Sequence, residues 1–413
     1  MIRRFEKDNF SLTLNRSDKF KTTSVFISIA MPLKNNDITT NSIMPFVLLE
    51  ELDSFSDEKS LTNKFLIFHG TDLKIDIFKS QSQHFFSYYI ELPSESFLNA
   101  DDYLMKLSTL FSQMLYNPKI LDQKEVNKID KAKNSLLSIH RDKEKAILPV
   151  LNQQLLEKMH HDSPYKAPCM GYCSEIKHIT PDHILNTYYN MINNSKISMI
   201  ISGETKNINI EEMLNLFKSK KMDYNYCKST YTSNNLITQF ENTPTDSTIS
   251  YLSIGFKYKG TKKSSLSIAK VLNALLGRFP HSLLFKEIRE KKRLCYFILS
   301  SVDSNTLDIV VNVITSKDKV NEVINNILMT LSNILNGNFS KDNLNKAKES
   351  TISLITKSLD TPLGAIDHIF QYIHNKNILD VNEQIREVNN ITKRDISTAV
   401  KQWTIDKPYI IKG

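Results

Sequence analysis

Hydrophobic and polar positions along this chain follow a succession of periods that occurs twice. Val25-Phe26-Ile27-Ser28-Ile29-Ala30-Met31 is a β-prone, partly alternating run, and Ser250-Tyr251-Leu252-Ser253-Ile254-Gly255-Phe256 is its counterpart in the second half. Each predicts an opening strand, and each leads into an apolar helical pattern: residues 41–52 in the first copy and 264–276 in the second. In the second helix Ile268, Ala269, Leu272, Leu275 and Leu276 share one face. Two further β-prone runs follow in each copy, at 72–78 and 84–92 and again at 294–302 and 306–313. An apolar helix then ends on Asn117-Pro118 in one copy and on Asn336-Gly337 in the other, residues that stop helices. The correspondence continues in a Lys-rich helix, where Lys131-Ala132-Lys133-Asn134-Ser135 reads against Lys346-Ala347-Lys348-Glu349-Ser350 at an offset of 215 residues.

Strand runs set apart from helix runs predict an α+β fold and not the βαβ alternation of a parallel sheet. The expectation is two homologous α+β domains, each an antiparallel sheet packed with helices. The most polar, apolar-poor stretch marks the join, which gives an N-terminal domain at 1–226, a linker at 227–246 and a C-terminal domain at 247–413.

Composition narrows the functional classes. A chain of 413 residues exceeds what one core usually serves, and 40% apolar with 24% charged residues is ordinary globular composition. No run of 18 apolar residues occurs and no apolar run follows the basic start, so the sequence predicts neither a membrane span nor export. Four cysteines in so long a chain predict reduced thiols and a cytoplasmic setting. The net charge of +8 is spread along the whole length without a Lys/Arg block, which argues against a nucleic-acid partner.

The candidate chemistry lies in the second half. Leu275-Leu276-Gly277, Ser282-x-Leu284-Phe285, Ile288-Arg289-Glu290-Lys291 and Leu294-x-Tyr296 follow in that order. In the first half, His160-His161-Asp162-Ser163-Pro164-Tyr165 precedes Gly171, Glu175, Ile176 and Ile179-Thr180-Pro181. Together with the duplicated α+β halves, these segments resemble the pitrilysin and insulinase family, in its subfamily with mitochondrial processing peptidase. The resemblance runs over nearly the whole chain and implies the LuxS/MPP-like metallohydrolase fold. It also implies that Arg289 and Tyr296 hold the scissile peptide and its tetrahedral oxyanion. A guanidinium fork and a phenol hydroxyl suit that role, since both donate to developing negative charge. The family's zinc is held by two His four apart, a Glu beside the second and a distant Glu, and the helix matching that motif reads Pro45-Phe46-Val47-Leu48-Leu49-Glu50-Glu51-Leu52. It has carboxylates and no imidazole, so no metal site is expected in this chain.

The leading expectation is therefore the zinc-less subunit of a heterodimeric zinc metallopeptidase that cleaves extended peptides. A homologous partner subunit would bring the zinc, and this chain would bring Arg289 and Tyr296. A catalytically inactive peptide-binding or assembly protein of the same fold is the alternative, and stoichiometric zinc in the isolated chain would point to a self-sufficient peptidase instead. Plainer readings stand beside these. Arg289 is also readable as a helix-surface arginine and Tyr296 as a sheet tyrosine. Cys169 and Cys173 near His160, His161, His178 and His183 form a weak metal pattern, and loop thiols with helix-end histidines are the favoured reading. His69-Gly70-Thr71 reads as a turn, Glu50 and Glu51 as the solvated side of an apolar helix, and the Lys-rich helix at 123–145 as a solvated face.

Overall fold

The computed structural model describes every residue except 1, 55–72, 81, 99–101, 119–125, 206–207, 218–239, 242–247, 261–264, 375–379 and 406–407. The chain forms two units, each assembled from non-contiguous segments. The first comprises Met1–Asp142, Ala167–Ser229 and Leu359–Ile373, and the second Lys143–Lys166, Thr230–Ser358 and His374–Gly413.

In the first unit six strands, β1 (Ile2–Lys7), β2 (Phe10–Arg16), β3 (Thr22–Pro32), β4 (Leu73–Ser80), β5 (Gln83–Pro93) and β6 (Lys196–Gly203), form one sheet. Their order is β1-β2-β6-β3-β5-β4. β3 pairs antiparallel with β5 and with β6, whereas β2 runs parallel to β6. The central strands are apolar on both faces, which requires cover on both sides. Val25, Ile27, Ile29 and Met31 point into the main core, packed with residues such as Val47 of helix Ile38–Ser54, Phe111 of helix Tyr103–Tyr116 and Tyr188 of helix Pro181–Asn194. Phe26, Ala30, Phe85, Tyr89 and Ile200 face the other way and are covered by Ile366, Ile369 and Phe370 of helix Pro362–His374. The Phe370 ring meets Phe26 edge to face at 5.4 Å and Phe85 at 5.5 Å, a geometry favoured by the ring quadrupoles.

In the second unit β7 (Phe240–Glu241), β8 (Ile249–Phe256), β9 (Phe297–Val302), β10 (Ile309–Ser316) and β11 (Tyr409–Lys412) are ordered β7-β11-β8-β10-β9. β11 pairs parallel with β7, and the other pairs are antiparallel. Val311 and Val313 join the core made with residues such as Leu272 of helix Ser265–Asn273, Ile327 of helix Val320–Leu335 and Ala347 of helix Lys341–Ser358. The opposite face, with Tyr251, Val310 and Ile411, is covered by Leu151, Leu155 and Met159 of helix Ile147–Met159. Lys257 Nζ donates to the Met159 carbonyl at 2.6 Å, satisfying one of the oxygens left open at that helix end. Beyond it, His160 Nε2 lies 2.7 Å from an Asp308 carboxylate oxygen and the Tyr165 hydroxyl donates to Asp303 at 2.8 Å.

The run β6-β3-β5-β4 of one sheet matches β11-β8-β10-β9 of the other, with a parallel strand outside each. The two α+β units therefore share one architecture. The covering helices Ile147–Met159 and Pro362–His374 are themselves 215 residues apart, the offset of the Lys-rich repeat. In each unit the outer face is covered by the helix that belongs, in chain order, to the other half.

Helix 264–276 is realised as an α-helix Ser265–Asn273 continued by a wider π-helical turn, Ala274–Arg278. The Lys-rich helix extends over Val126–Glu144 and buries Ile129, Ala132 and Leu136, leaving a solvated face. Of the expected linker, all but Phe240 and Glu241 lies outside the described residues.

Candidate functional site

The segment that carries Arg289 and Tyr296 is held by four buried anchors, Leu284, Ile288, Leu294 and Cys295. Phe285–Lys291 is π-helical, with the Lys292 N–H bonded to the Glu287 carbonyl at 3.2 Å. The next bond, from Leu294 N–H to the Ile288 carbonyl at 2.9 Å, closes the helix end around Arg293, whose φ is +52°. This is the left-handed reversal at which glycine is normally the least strained residue. It turns the chain towards β9, and the Tyr296 N–H bonds the Ile314 carbonyl of β10 at 2.8 Å. Gly277 lets the preceding π turn lie close to β9, since a Cβ there would meet Ser300 Oγ at 2.8 Å.

The reversal brings Arg289 and Tyr296 to the wall of one cavity of about 380 Å³, together with Arg293 and Lys319. Leu294, Cys295 and Ser316 complete the lining. Arg289 stacks over the Phe285 ring with its guanidinium carbon 4.7 Å from the centroid, and Tyr296 is 63% exposed. Burial pushes the Cys295 thiol up to about 11, against the opposing charge of Arg289, so the sulfur is a protonated thiol near neutral pH and not a nucleophile. A hydrogen bond from Ser316 holds the Asp318 carboxyl below its usual range. The arrangement can donate hydrogen bonds to an oxygen-rich group, and it presents no base. Arg293, Ser316 and Lys319 were not singled out from the sequence. Arg293 sits inside the motif at a position with no assigned role, and Lys319 joins only through the pairing of β9 with β10.

The helix that matches the zinc motif offers no comparable set. Ile43, Met44, Phe46, Val47 and Leu48 are core residues, and the Pro45 carbonyl accepts a hydrogen bond from the Tyr88 hydroxyl at 2.9 Å. Glu50 lies 3.9 Å from Lys131, and the side chain of Glu51 is outside the described residues. These residues do not fit a zinc ion, which needs converging imidazoles and carboxylates. Among the described residues no group of three or more His, Cys, Asp or Glu is placed to hold a metal ion.

The other imidazoles and thiols have separate tasks. His84 is fully buried on β5, bonds the Cys169 carbonyl at 2.8 Å through Nε2, and is pushed down to about 4 by burial. The His183 ring caps its own helix by accepting from the Thr180 N–H at 3.3 Å. His161 lies 2.8 Å from Asp162. His69, Gly70 and Thr71 are outside the described residues. The buried contact of His160 with Asp308 had no sequence signal, because the two residues are 148 positions apart.

In fold and in part of its sequence the chain is similar to proteins of the M16 type. Residues 178–351 match the family described as the peptidase M16 inactive domain. Over 407 residues the chain is 22% identical to the probable inactive metalloprotease YmfF of Bacillus subtilis (strain 168), covering 96% of this chain and 94% of that protein. Among solved structures it superimposes on a conserved protein from Enterococcus faecalis V583 with a TM-score of 0.84 at 18% identity, over 100% of this chain and 98% of that one. A peptidase M16 inactive domain from Pseudomonas fluorescens gives a TM-score of 0.75 at 13% identity, over 100% and 97% of the two chains. The matched family, the Bacillus subtilis relative and the Pseudomonas fluorescens structure are each described as inactive. Among the described residues no helix is long and apolar enough to cross a membrane.

Proposed function

We propose that this chain is the zinc-less subunit of a two-subunit metallopeptidase acting on extended peptides, akin to the mitochondrial-processing-peptidase-like members. A homologous partner would hold the zinc, and Arg289 and Tyr296 would complete the site. The observation that carries this reading is the convergence of Arg289 and Tyr296, seven residues apart, on one cavity. Both side chains are exposed, and neither bonds a carboxylate among the described residues. Surface arginines in a helix of mixed charge usually pair along the helix, as Lys291 does here with Glu287 at 2.5 Å. Arg289 instead lies against an aromatic face with its N–H groups available for a substrate carbonyl. Tyr296 supplies one further directed donor.

The test is hydrolysis of a quenched peptide by the chain alone, by a zinc-bearing relative from the same cell, and by the mixture. Activity is expected only in the mixture. Arg289→Ala and Tyr296→Phe should each lower kcat/KM by roughly a hundredfold, the usual scale for losing one oxyanion donor. Full activity of both variants, or no hydrolysis in any mixture, would sink the proposal. The likeness to a probable inactive metalloprotease favours a second reading, a peptide-holding or assembly protein without cleavage. That reading expects a stable complex with peptide or partner and no turnover with any zinc-bearing relative.

A further inference from the structure

The cavity beside Tyr296 holds more positive charge than a peptide carbonyl needs. Arg289, Arg293 and Lys319 all line it. Among the described residues no carboxylate lies within ion-pair distance of any of the three. Of the acidic neighbours, Glu287 is taken by Lys291, and Asp318 accepts from the Ser316 hydroxyl and feels the Lys319 charge from beyond ion-pair distance. The 16-residue helix Val320–Leu335 begins directly after Lys319, so the positive end of its dipole adds to the same field.

Arg293 supplies an independent observation. Its φ of +52° places a long cationic side chain at the one position of the reversal that glycine would occupy with least strain. Strain of this kind persists where the surrounding structure enforces it and clusters at functional sites. The Lys319 ammonium lies 3.5 Å from the Arg293 carbonyl, which holds the second cation against the strained turn. Three cations beside an apolar base of Leu294 and Cys295, both buried, make a site for an oxyanion.

We infer that this cavity binds a carboxylate of the peptide substrate, with Arg293 and Lys319 as its principal holders and Arg289 shared with the peptide backbone. The inference rests on the peptide-binding reading above and names the substrate feature that this chain selects. The chemistry is that of a carboxylate, whether the terminal group of the peptide or an acidic side chain.

The experiment uses the full chain and three labelled short peptides, followed by fluorescence anisotropy. The first has neutral side chains and a free C-terminal carboxylate, the second is its C-terminal amide, and the third is the amide with one interior Glu. At least one of the two carboxylate-bearing peptides should bind roughly tenfold more tightly than the neutral amide at low salt, and the advantage should shrink at high salt. Tight binding of the third peptide would assign the carboxylate to a side chain, and weak binding would assign it to the chain end. Arg293→Gly and Lys319→Gln should each reduce the advantage to about twofold or less. Arg293→Gly relieves strain, so an unchanged or higher melting temperature shows that its loss of binding is not a loss of folding.

Equal binding of all three peptides, or an advantage untouched in both variants, would overturn the inference. The two proposals fail separately. Equal binding with Arg289 and Tyr296 still required for hydrolysis would remove this inference alone. A preserved carboxylate preference with no hydrolysis beside any partner would remove the composite peptidase alone.

Discussion

Arg293 and His84 each hold a state, one of the backbone and one of protonation, that is costly for an isolated residue. A left-handed arginine is strained relative to glycine by roughly 1–2 kcal/mol, part of which is offset by the entropy that glycine restores to the unfolded chain. Arg293→Gly is therefore expected to raise the free energy of unfolding by about 1 kcal/mol, read from urea midpoints at constant m-value. His84 has its pKa lowered from 6.5 to about 4 by burial, so the folded protein keeps it neutral while the unfolded chain takes up a proton as pH falls below 6.5. Its contribution is complete above pH 6.5 and is lost progressively down to about 4, with about 2 kcal/mol gone by pH 5. Urea melts at pH 7 and pH 5 measure this slope, and in His84→Gln the slope should flatten. An unchanged slope would show that another group carries it. Arg289 and Tyr296 were legible in the sequence through motif order and spacing, whereas nothing in the sequence reports a positive φ at Arg293.

At the scale of elements, the π-helical turns and their neighbours set the site. Gly277 abuts Ser300 of β9, and Gly277→Ala would force a Cβ to within 2.8 Å of the Ser300 hydroxyl oxygen. Overpacking of this kind costs about 1–3 kcal/mol, and because the turn leads into Phe285–Lys291, the variant should also weaken peptide binding. Calorimetry and peptide titration together would show both effects. A stability loss with unchanged binding would separate the turn from the site. Periodicity located these helices, but 3.6-residue spacing does not distinguish an α-helix that widens into a π turn, because that choice is made by the packing of Leu276 and Ile288 in the core. The outer strands β1, β2, β7 and β11 were also not anticipated. β7 and β11 are short and the edge strand β1 is exposed along nearly its whole length, so these three leave little hydrophobic pattern, whereas β2 alternates Phe10, Leu12 and Leu14 with polar residues and does carry one.

For the whole molecule, the governing feature is that each unit contains a helix from the other half of the chain. Residues 1–226 expressed alone lack Pro362–His374, leaving Phe26, Phe85, Tyr89 and Ile200 uncovered on one sheet face. Exposed apolar surface of that extent drives association, so the fragment should aggregate or bind a hydrophobic dye. Co-expression with residues 227–413 should restore a soluble complex, and a monomeric, dye-negative fragment 1–226 would refute the expectation. Within the full chain, Phe370→Ala should cost about 3–5 kcal/mol and Leu155→Ala about 2–5 kcal/mol, because each removes the centre of an outer-face layer.

The sequence by itself determined the α+β class, the duplication and its 215-residue offset, the absence of imidazole from the zinc-motif helix, and the Arg289 and Tyr296 pair. Period, composition and motif spacing are local properties, and a linear pattern records them. The tertiary structure alone decided which helix covers which sheet face, that Arg293 and Lys319 join Tyr296 at one cavity, and that His160 meets Asp308. Apolar strands state that both faces need cover without stating what supplies it. Charges that flank separate strands, as Arg293 and Lys319 flank β9 and β10, meet only when the register of the sheet is fixed.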